Sequence, residues 1–285
     1  MLVGVRTGTV LSADGTVVSH RVVGEGDTPV VLVHGGIQAA QSFRRLAEML
    51  SSRYTVYIPD RRGRRPDVPA GQHYGLAREG EDLEALVRTV EARRVFGLSS
   101  GAVIALYTAI EYGGIDRLAL YEPPLTIDGA TPAAWLPTFE HALATSGPAA
   151  AVAAVLEGTG DRSPLSLLPT WALTGLARIA LTMDAKTHAP EDISLRDLVP
   201  TMRLDGIVTK ESEELVNPRI AELRAQVLLI GGSKSAYQLH LGLDALSKRL
   251  PDAKRVELHG VGHIAADNRG APKKVAKLLA DFWSN

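Results

Sequence analysis

"RRVFGLSSGAVIALYTAI" occupies Arg93–Ile110, and it decides the fold. A short β-branched and apolar run leads in, and a helical pattern leads out. Between them two serines, Ser99 and Ser100, are bracketed by glycines. A strand that hands over sharply to a helix forces its corner residue into a strained backbone conformation and projects that side chain from the sheet's carboxyl edge. The crowding is tolerated only where the residues two before and two after are small. Gly97 and Gly101 meet that condition around Ser99, whereas Leu98 would clash if Ser100 held the corner. Ser99 is therefore the candidate nucleophile. Ser100 supplies a backbone N–H at the helix start, where an oxyanion would form. The ordinary alternative is a Gly-Ser turn that only caps the helix.

Outward from this turn the pattern alternates. "GVRTGTVLS" and "TVVSHRVVGEG", joined by "ADGT", predict a hairpin, because Asp-Gly between alternating runs favours a tight turn. "TPVVLVHGG", "YTVYIPD", "RRVFGLS" and "IDRLALYEPP" read as strands with helical stretches between them. Continuous apolar runs of this kind suit a sheet covered on both faces. From about residue 125 to 223 the pattern is helical, clearest in "AAWLPTFEHALAT", "PAAAVAAVLEG" and "PTWALTGLARIALTM". Strand and helix then alternate again from "QVLLIGGS" to "PKKVAKLLADFW". The expectation is an α/β fold: a mostly parallel, doubly wound sheet entered through an N-terminal antiparallel hairpin. A helical cap is expected after the strand ending near Glu122. The core would comprise residues 1–124 and 224–285, and the cap residues 125–223.

Bulk properties narrow the function. The chain has 285 residues, 45% of them apolar, and a formal net charge of -1. With a pI of about 6.7, no general affinity for nucleic acid or anionic membranes is expected. Cysteine is absent, which removes thiolate catalysis, disulfides and Cys-ligated metal. The N-terminus reads as a strand rather than a signal peptide, and no segment approaches the roughly 18 apolar residues of a membrane span. A cytoplasmic protein is expected.

A serine hydroxyl is a weak nucleophile and needs a base within reach. Of eight histidines, His263 follows the last predicted strand in a glycine-containing loop at the same sheet edge as Ser99. His259 lies four residues earlier, but a strand-to-loop transition does not give the helical spacing of a metal pair. His20, His73, His141, His188 and His240 have no supporting context.

"HGG" at His34–Gly36, "DRRG" at Asp60–Gly63, "GLSSG" at Gly97–Gly101 and "GVGH" at Gly260–His263 together resemble the α/β-hydrolase fold family, in that order and over nearly the whole chain. The resemblance implies a serine hydrolase with His263 as base. It implies backbone oxyanion donors at Ser100 and Gly36, with Ile37 as the alternative to Gly36, and His34 as a residue that shapes the loop. It also implies an acid after "QVLLIGG", and here the sequence departs from the family. The loop reads "GGSKSAYQ", with Ser233, Lys234 and Ser235, and the next carboxylate, Asp244, lies inside a predicted helix. Glu122, at the carboxyl end of "LALYEPP", is the expected acid, as in family members that take it from that earlier strand. Asp60 is a rival.

The expected activity is cleavage of a small or medium carboxylic ester, or a related acyl compound, through an acyl-enzyme, with a small-molecule acyl substrate and no cofactor or metal. The same triad could serve a thioesterase, a lactonase, a C–C hydrolase or a cyclase of secondary metabolism. From another class, the chain could be a ligand-binding protein with a vestigial site. Trp135, Leu168, Trp171 and Met183 are candidates for lining a substrate pocket, but an apolar stripe on a helix more often serves plain packing, so none of them is singled out. "PDRRGRRPD", with four arginines between two aspartates, reads as a solvated loop with local Arg–Asp pairs; an anion subsite is the alternative.

Overall fold

The computed structural model describes residues 4–159, 167–216 and 218–284. Residues 160–166 and 217 of the expected cap lie outside them. The hairpin forms as expected. β1 (Val5–Leu11) and β2 (Val17–Val23) pair antiparallel. Their turn is closed by Ser12 N–H donating to Thr16 O at 2.9 Å, with Gly15 at φ 84°.

The chain then runs through β3 (Thr28–Val33), α1 (Arg44–Leu50), β4 (Tyr54–Pro59), α2 (Leu76–Thr89), β5 (Arg94–Leu98), α3 (Ser100–Glu111) and β6 (Arg117–Tyr121). Six helices follow among the described residues: α4 (Leu136–Ser146), α5 (Pro148–Gly158), α6 (Thr170–Thr187), α7 (Leu195–Leu198), α8 (Met202–Glu211) and α9 (Glu213–Val216). The sheet resumes with β7 (Gln226–Gly232), α10 (Tyr237–Arg249), β8 (Lys254–Leu258) and α11 (Pro272–Ser284).

The eight strands lie in the order β1-β2-β4-β3-β5-β6-β7-β8. β1 and β2 are antiparallel to their neighbours, and the rest of the sheet is parallel. Side chains alternate across a strand, so one continuous apolar run feeds two cores. Val31, Val33, Val95 and Leu120 face α2, α3 and α10. Val30, Leu32, Phe96 and Ile230 face α1 and α11. In α3, ten of twelve residues are buried, so the helix after Ser99 is held on all sides and fixes the corner from which it springs.

β3 lies between β4 and β5, so the chain leaves β3 on one side and returns as β5 on the other. Such a switch opens a crevice at the carboxyl ends of the two strands. His34–Gly36 follow β3 and Ser99 follows β5, so both segments reach that crevice. Among the described residues, no helix is long and apolar enough to cross a membrane.

Candidate active site

Ser99 has φ 57° and ψ -127°, a backbone region few non-glycine residues occupy. Its N–H still donates to Tyr121 O at 2.9 Å, so the corner is strained while tied to β6. The flanking glycines have the steric cause inferred from sequence. A Cβ on Gly97 would lie 2.5 Å from Ala102 Cα, and one on Gly101 would lie 2.4 Å from His34 O and Val33 O. Ser99 is partly accessible, whereas Ser100 is buried and its hydroxyl is engaged with Asp205 and Arg61.

Glu122 and His263 meet. Glu122 Oε2 is 2.7 Å from His263 Nδ1, and its Oε1 accepts from Gly232 N–H at 2.6 Å. The glutamate is wholly buried, and the imidazole side chain is 30% exposed. Burial pushes the Glu122 carboxyl up. The hydrogen bond and charge interaction with His263 oppose this, with help from Ser235 and Gly232, and leave it below its ordinary value. Glu122 has φ 45°, and Ile37 in the loop after β3 has φ 52°. Strain is therefore stored at three places around one crevice.

The loop "GGSKSAYQ", which carries no acid, holds the histidine loop instead. Ser233 Oγ accepts from Gly260 N–H at 2.9 Å, and Lys234 N–H donates to Val261 O at 2.9 Å. Tyr121 Oη donates to Gly262 O at 2.8 Å. Asp60 is used elsewhere: its Oδ1 accepts from Ala40 N–H at 2.8 Å. His259 is exposed, and among the described residues no group of three or more His, Asp or Glu could hold a metal ion.

His34 is buried, and its imidazole is held well below its ordinary pKa, first by burial and then by the charges of Arg61 and Arg64. Arg61 N–H can only donate, and it meets His34 Nε2 at 3.4 Å. The neutral ring then carries its proton on Nδ1, which donates to Gly35 O at 3.0 Å. In a trans peptide the carbonyl and the following N–H point opposite ways. Pinning Gly35 O to His34 therefore turns the Gly36 N–H away from that ring.

The arginine loop corrects the sequence reading. Arg61, Arg62 and Arg64 are 3%, 2% and 1% exposed, so the loop is not solvated. Only Arg65–Asp67 is a local exposed pair. Arg61 pairs with Glu79 at 2.7 Å and Asp205 at 2.9 Å, Arg62 with Asp82 and Asp14, and Arg64 with Asp205 at 2.6 Å. Carboxylates of this chain already neutralise these cations, so the geometry does not support an anion subsite.

The apolar expectations divide. Trp135 is buried in a cluster with Phe139, against which Ile37 and Met202 pack. Trp171 and Met183 are 78% and 60% exposed, because α6 turns Leu173, Ala177 and Leu181 inward instead. Leu168 is also exposed. Met202, which no sequence motif singles out, packs on the loop after β3: a Cβ on Gly36 would lie 2.5 Å from its Sδ. A cavity of about 940 Å³ between the hairpin and residues 188–197 is lined by neither Ser99 nor His263. A second, of about 230 Å³, reaches Ile37.

Residues 30–278 match the model of the Alpha/beta hydrolase family. The chain belongs to that family. It is 35% identical over 106 residues to an uncharacterized hydrolase, YraK, of Bacillus subtilis, a match covering 36% of this chain and 39% of that protein. It is 37% identical over 92 residues to the magnesium-chelatase 30 kDa subunit of Rhodobacter capsulatus, covering 31% of this chain and 32% of that one. The chain thus spans well under half the length of either curated relative. An alpha/beta hydrolase from Sphaerobacter thermophilus DSM 20745 superposes with a TM-score of 0.74 at 27% identity, over 97% of this chain and 100% of that one.

Proposed function

We propose that this family member is a serine hydrolase that cleaves a small or medium carboxylic ester, or a related acyl compound, through an acyl-enzyme. Residues 125–223 would form a cap over a core of residues 1–124 and 224–285. The observation that carries the reading is the 2.7 Å contact between a fully buried Glu122 and His263 Nδ1, at the same sheet edge as the strained Ser99.

The steps follow from the groups present. Ser99 Oγ attacks the acyl carbon, and His263 Nε2 takes the hydroxyl proton. Glu122 holds Nδ1–H in the productive tautomer and stabilises the imidazolium. The N–H groups of Ser100 and Gly36 bind the oxyanion, with Ile37 the alternative to Gly36. The imidazolium then protonates the leaving alkoxide. A water, deprotonated by the same nitrogen, attacks the acyl-enzyme, and the imidazolium returns that proton to Ser99 Oγ as the acid leaves. Thioesters and lactones present the same carbonyl and leaving-group chemistry to these groups. Each of these steps runs on this chain's own residues.

The test is covalent labelling with a fluorophosphonate, followed by a panel of acyl esters, thioesters and lactones of varied chain length. The wild-type chain is expected to label at Ser99, and Ser99→Ala to lose both label and turnover. A folded wild type that neither labels nor turns over any of the panel would sink the reading in favour of a binding protein.

A further inference from the structure

In the proposed reaction Ser100 donates its N–H, which requires a fixed backbone direction at the first turn of α3. Its side chain is far from idle. Ser100 Oγ donates to Asp205 Oδ1 at 2.6 Å and accepts from Arg61 Nη1 at 3.0 Å. Asp205 lies on α8, 105 residues further along the chain, and is 3% exposed. The same Oδ1 accepts from Arg61 Nη1 at 2.9 Å and Arg64 Nη2 at 2.6 Å. Arg61 Nη1 also donates to His34 O at 3.2 Å, in the other oxyanion segment. The second oxygen of the carboxylate faces that segment too. A Cβ on Gly36 would lie 3.2 Å from Asp205 Oδ2 and 3.3 Å from its Cγ. Asp205 therefore hydrogen-bonds the side chain of one expected oxyanion donor and lies beside the other, where Met202 Sδ of the same helix is closer still, 2.5 Å from a Cβ on Gly36.

We propose that Asp205 is the positioning residue of the oxyanion hole. Asp205 holds the Ser100 hydroxyl while Met202 and Asp205 pack beside Gly36, so α8 fixes the direction of both donor N–H groups and the site is competent only while α8 is seated. This inference rests on the serine-hydrolase reading above.

Charge supports the geometry. Burial alone would raise the Asp205 carboxyl. The guanidinium groups of Arg64 and Arg61, with the Ser100 hydroxyl, instead bring it down to about 2, so the anchor is ionised throughout any neutral assay. Buried hydrogen bonds to an ionised acceptor are stronger and more directional than neutral ones. Direction is what an oxyanion donor needs: a misplacement of about 1 Å can cost roughly a hundredfold in rate.

The experiment is a double-mutant cycle with Ser100→Ala and Asp205→Asn in the full chain. Its readouts are kcat and KM on a short-chain p-nitrophenyl ester, the rate of fluorophosphonate labelling at Ser99, and Tm for each variant. Ser100→Ala is expected to lower kcat and the labelling rate by roughly tenfold to a hundredfold, with KM within about twofold and Tm within a few degrees. Asp205→Asn alone should lower kcat at least as much. In the Ser100→Ala background it should cost less than about threefold more, because the two residues act as one unit. Should Asp205→Asn fail to fold, Ser100→Ala decides: an unchanged kcat overturns the proposal. So do effects that multiply independently, or kcat and KM changes that only track lost stability. A folded wild type that neither labels nor turns over the ester overturns instead the hydrolase reading on which this one stands.

Discussion

Glu122 Oε2 lies 2.7 Å from His263 Nδ1, on a glutamate with φ 45° and no solvent exposure. Two independent costs are accepted at one residue: a left-handed backbone and a buried carboxylate. Gly232 N–H offsets part of the second by donating to Oε1 at 2.6 Å, which leaves Oε2 for the histidine. A strand-end carboxylate serving only as a turn cap would need neither the strain nor full burial.

Replacing Glu122 by Gln keeps the volume and the Gly232 contact but puts an amide against His263 Nδ1. The amide N–H₂ donates, so the imidazole is driven to the wrong tautomer. Turnover is expected to fall by about a thousandfold to ten-thousandfold, with circular dichroism unchanged. Asp60→Asn, run in parallel, should keep most of its activity, since Asp60 Oδ1 holds Ala40 N–H and not the histidine. Near-normal turnover of Glu122→Gln would remove Glu122 from the proposed triad.

At Gly101, two effects of opposite sign compete. Helix propensity favours alanine over glycine by about 1 kcal/mol. Against this, the added Cβ would sit 2.4 Å from two backbone carbonyl oxygens of the neighbouring segment, His34 O and Val33 O. Backbone cannot step aside as a flexible side chain can, and overpacking of this kind costs about 1–3 kcal/mol or more. Gly101→Ala is expected to lower the urea midpoint and to disturb the segment after β3. A stabilised Gly101→Ala protein would mean that strand and helix are less crowded at this corner than described.

The sheet and the elbow are legible in sequence because each has a local signature, and the Glu122–His263 pair because the family resemblance points to it where the usual acid is missing. Apolar runs alternate with helical periods, small residues stand at fixed offsets from Ser99, and "GGSKSAYQ" lacks a carboxylate. The arginine loop is not legible, because its partners are remote. Arg61 meets Glu79 18 residues away and Asp205 144 residues away, and no local pattern records such pairings. α6 is ambiguous for a different reason. Trp171 and Met183 lie on one face, and Leu173, Ala177 and Leu181 on the other. With apolar residues on both faces, periodicity does not say which one turns inward. Asp205 has no sequence signature, because a charged residue inside a helix reads as its solvent face.

Arg62 is 2% exposed and donates to Asp82 through Nε at 2.6 Å, with Asp14 on its outer side at 2.9 Å. Removing one partner of a buried pair leaves the other charge without compensation, which costs about 3–5 kcal/mol. Arg62→Met is expected to destabilise by that order in urea titrations. Adding Asp82→Leu should restore much of the loss, because replacing a whole buried pair with apolar groups is often neutral. A double variant no more stable than Arg62→Met would argue that the pair contributes through geometry that packing cannot replace.

Acid should remove the stability that the buried Asp205 carboxylate contributes. Asp205 is lowered from 3.8 to about 2 by Arg64, Arg61 and Ser100 against the opposing effect of burial. A carboxyl whose folded pKa is depressed contributes stability that is complete above its unfolded value and is lost as pH falls through its folded value. The Asp205 share is therefore intact above about pH 5 and disappears progressively from about pH 4 to about pH 2. A shift of this size corresponds to about 2 kcal/mol. Glu122 shifts in the same direction and adds to the slope, whereas burial raises the Asp60 and Asp82 carboxyls and their contribution runs the other way. The difference in urea midpoint between wild type and Asp205→Asn should stay level from pH 7 to about pH 5 and narrow as pH falls toward 3. In Asp205→Asn the profile should start lower and fall less steeply, since the amide has no proton to gain. An identical slope in wild type and variant would show that Asp205 is not ionised against Arg61 and Arg64 in the folded protein.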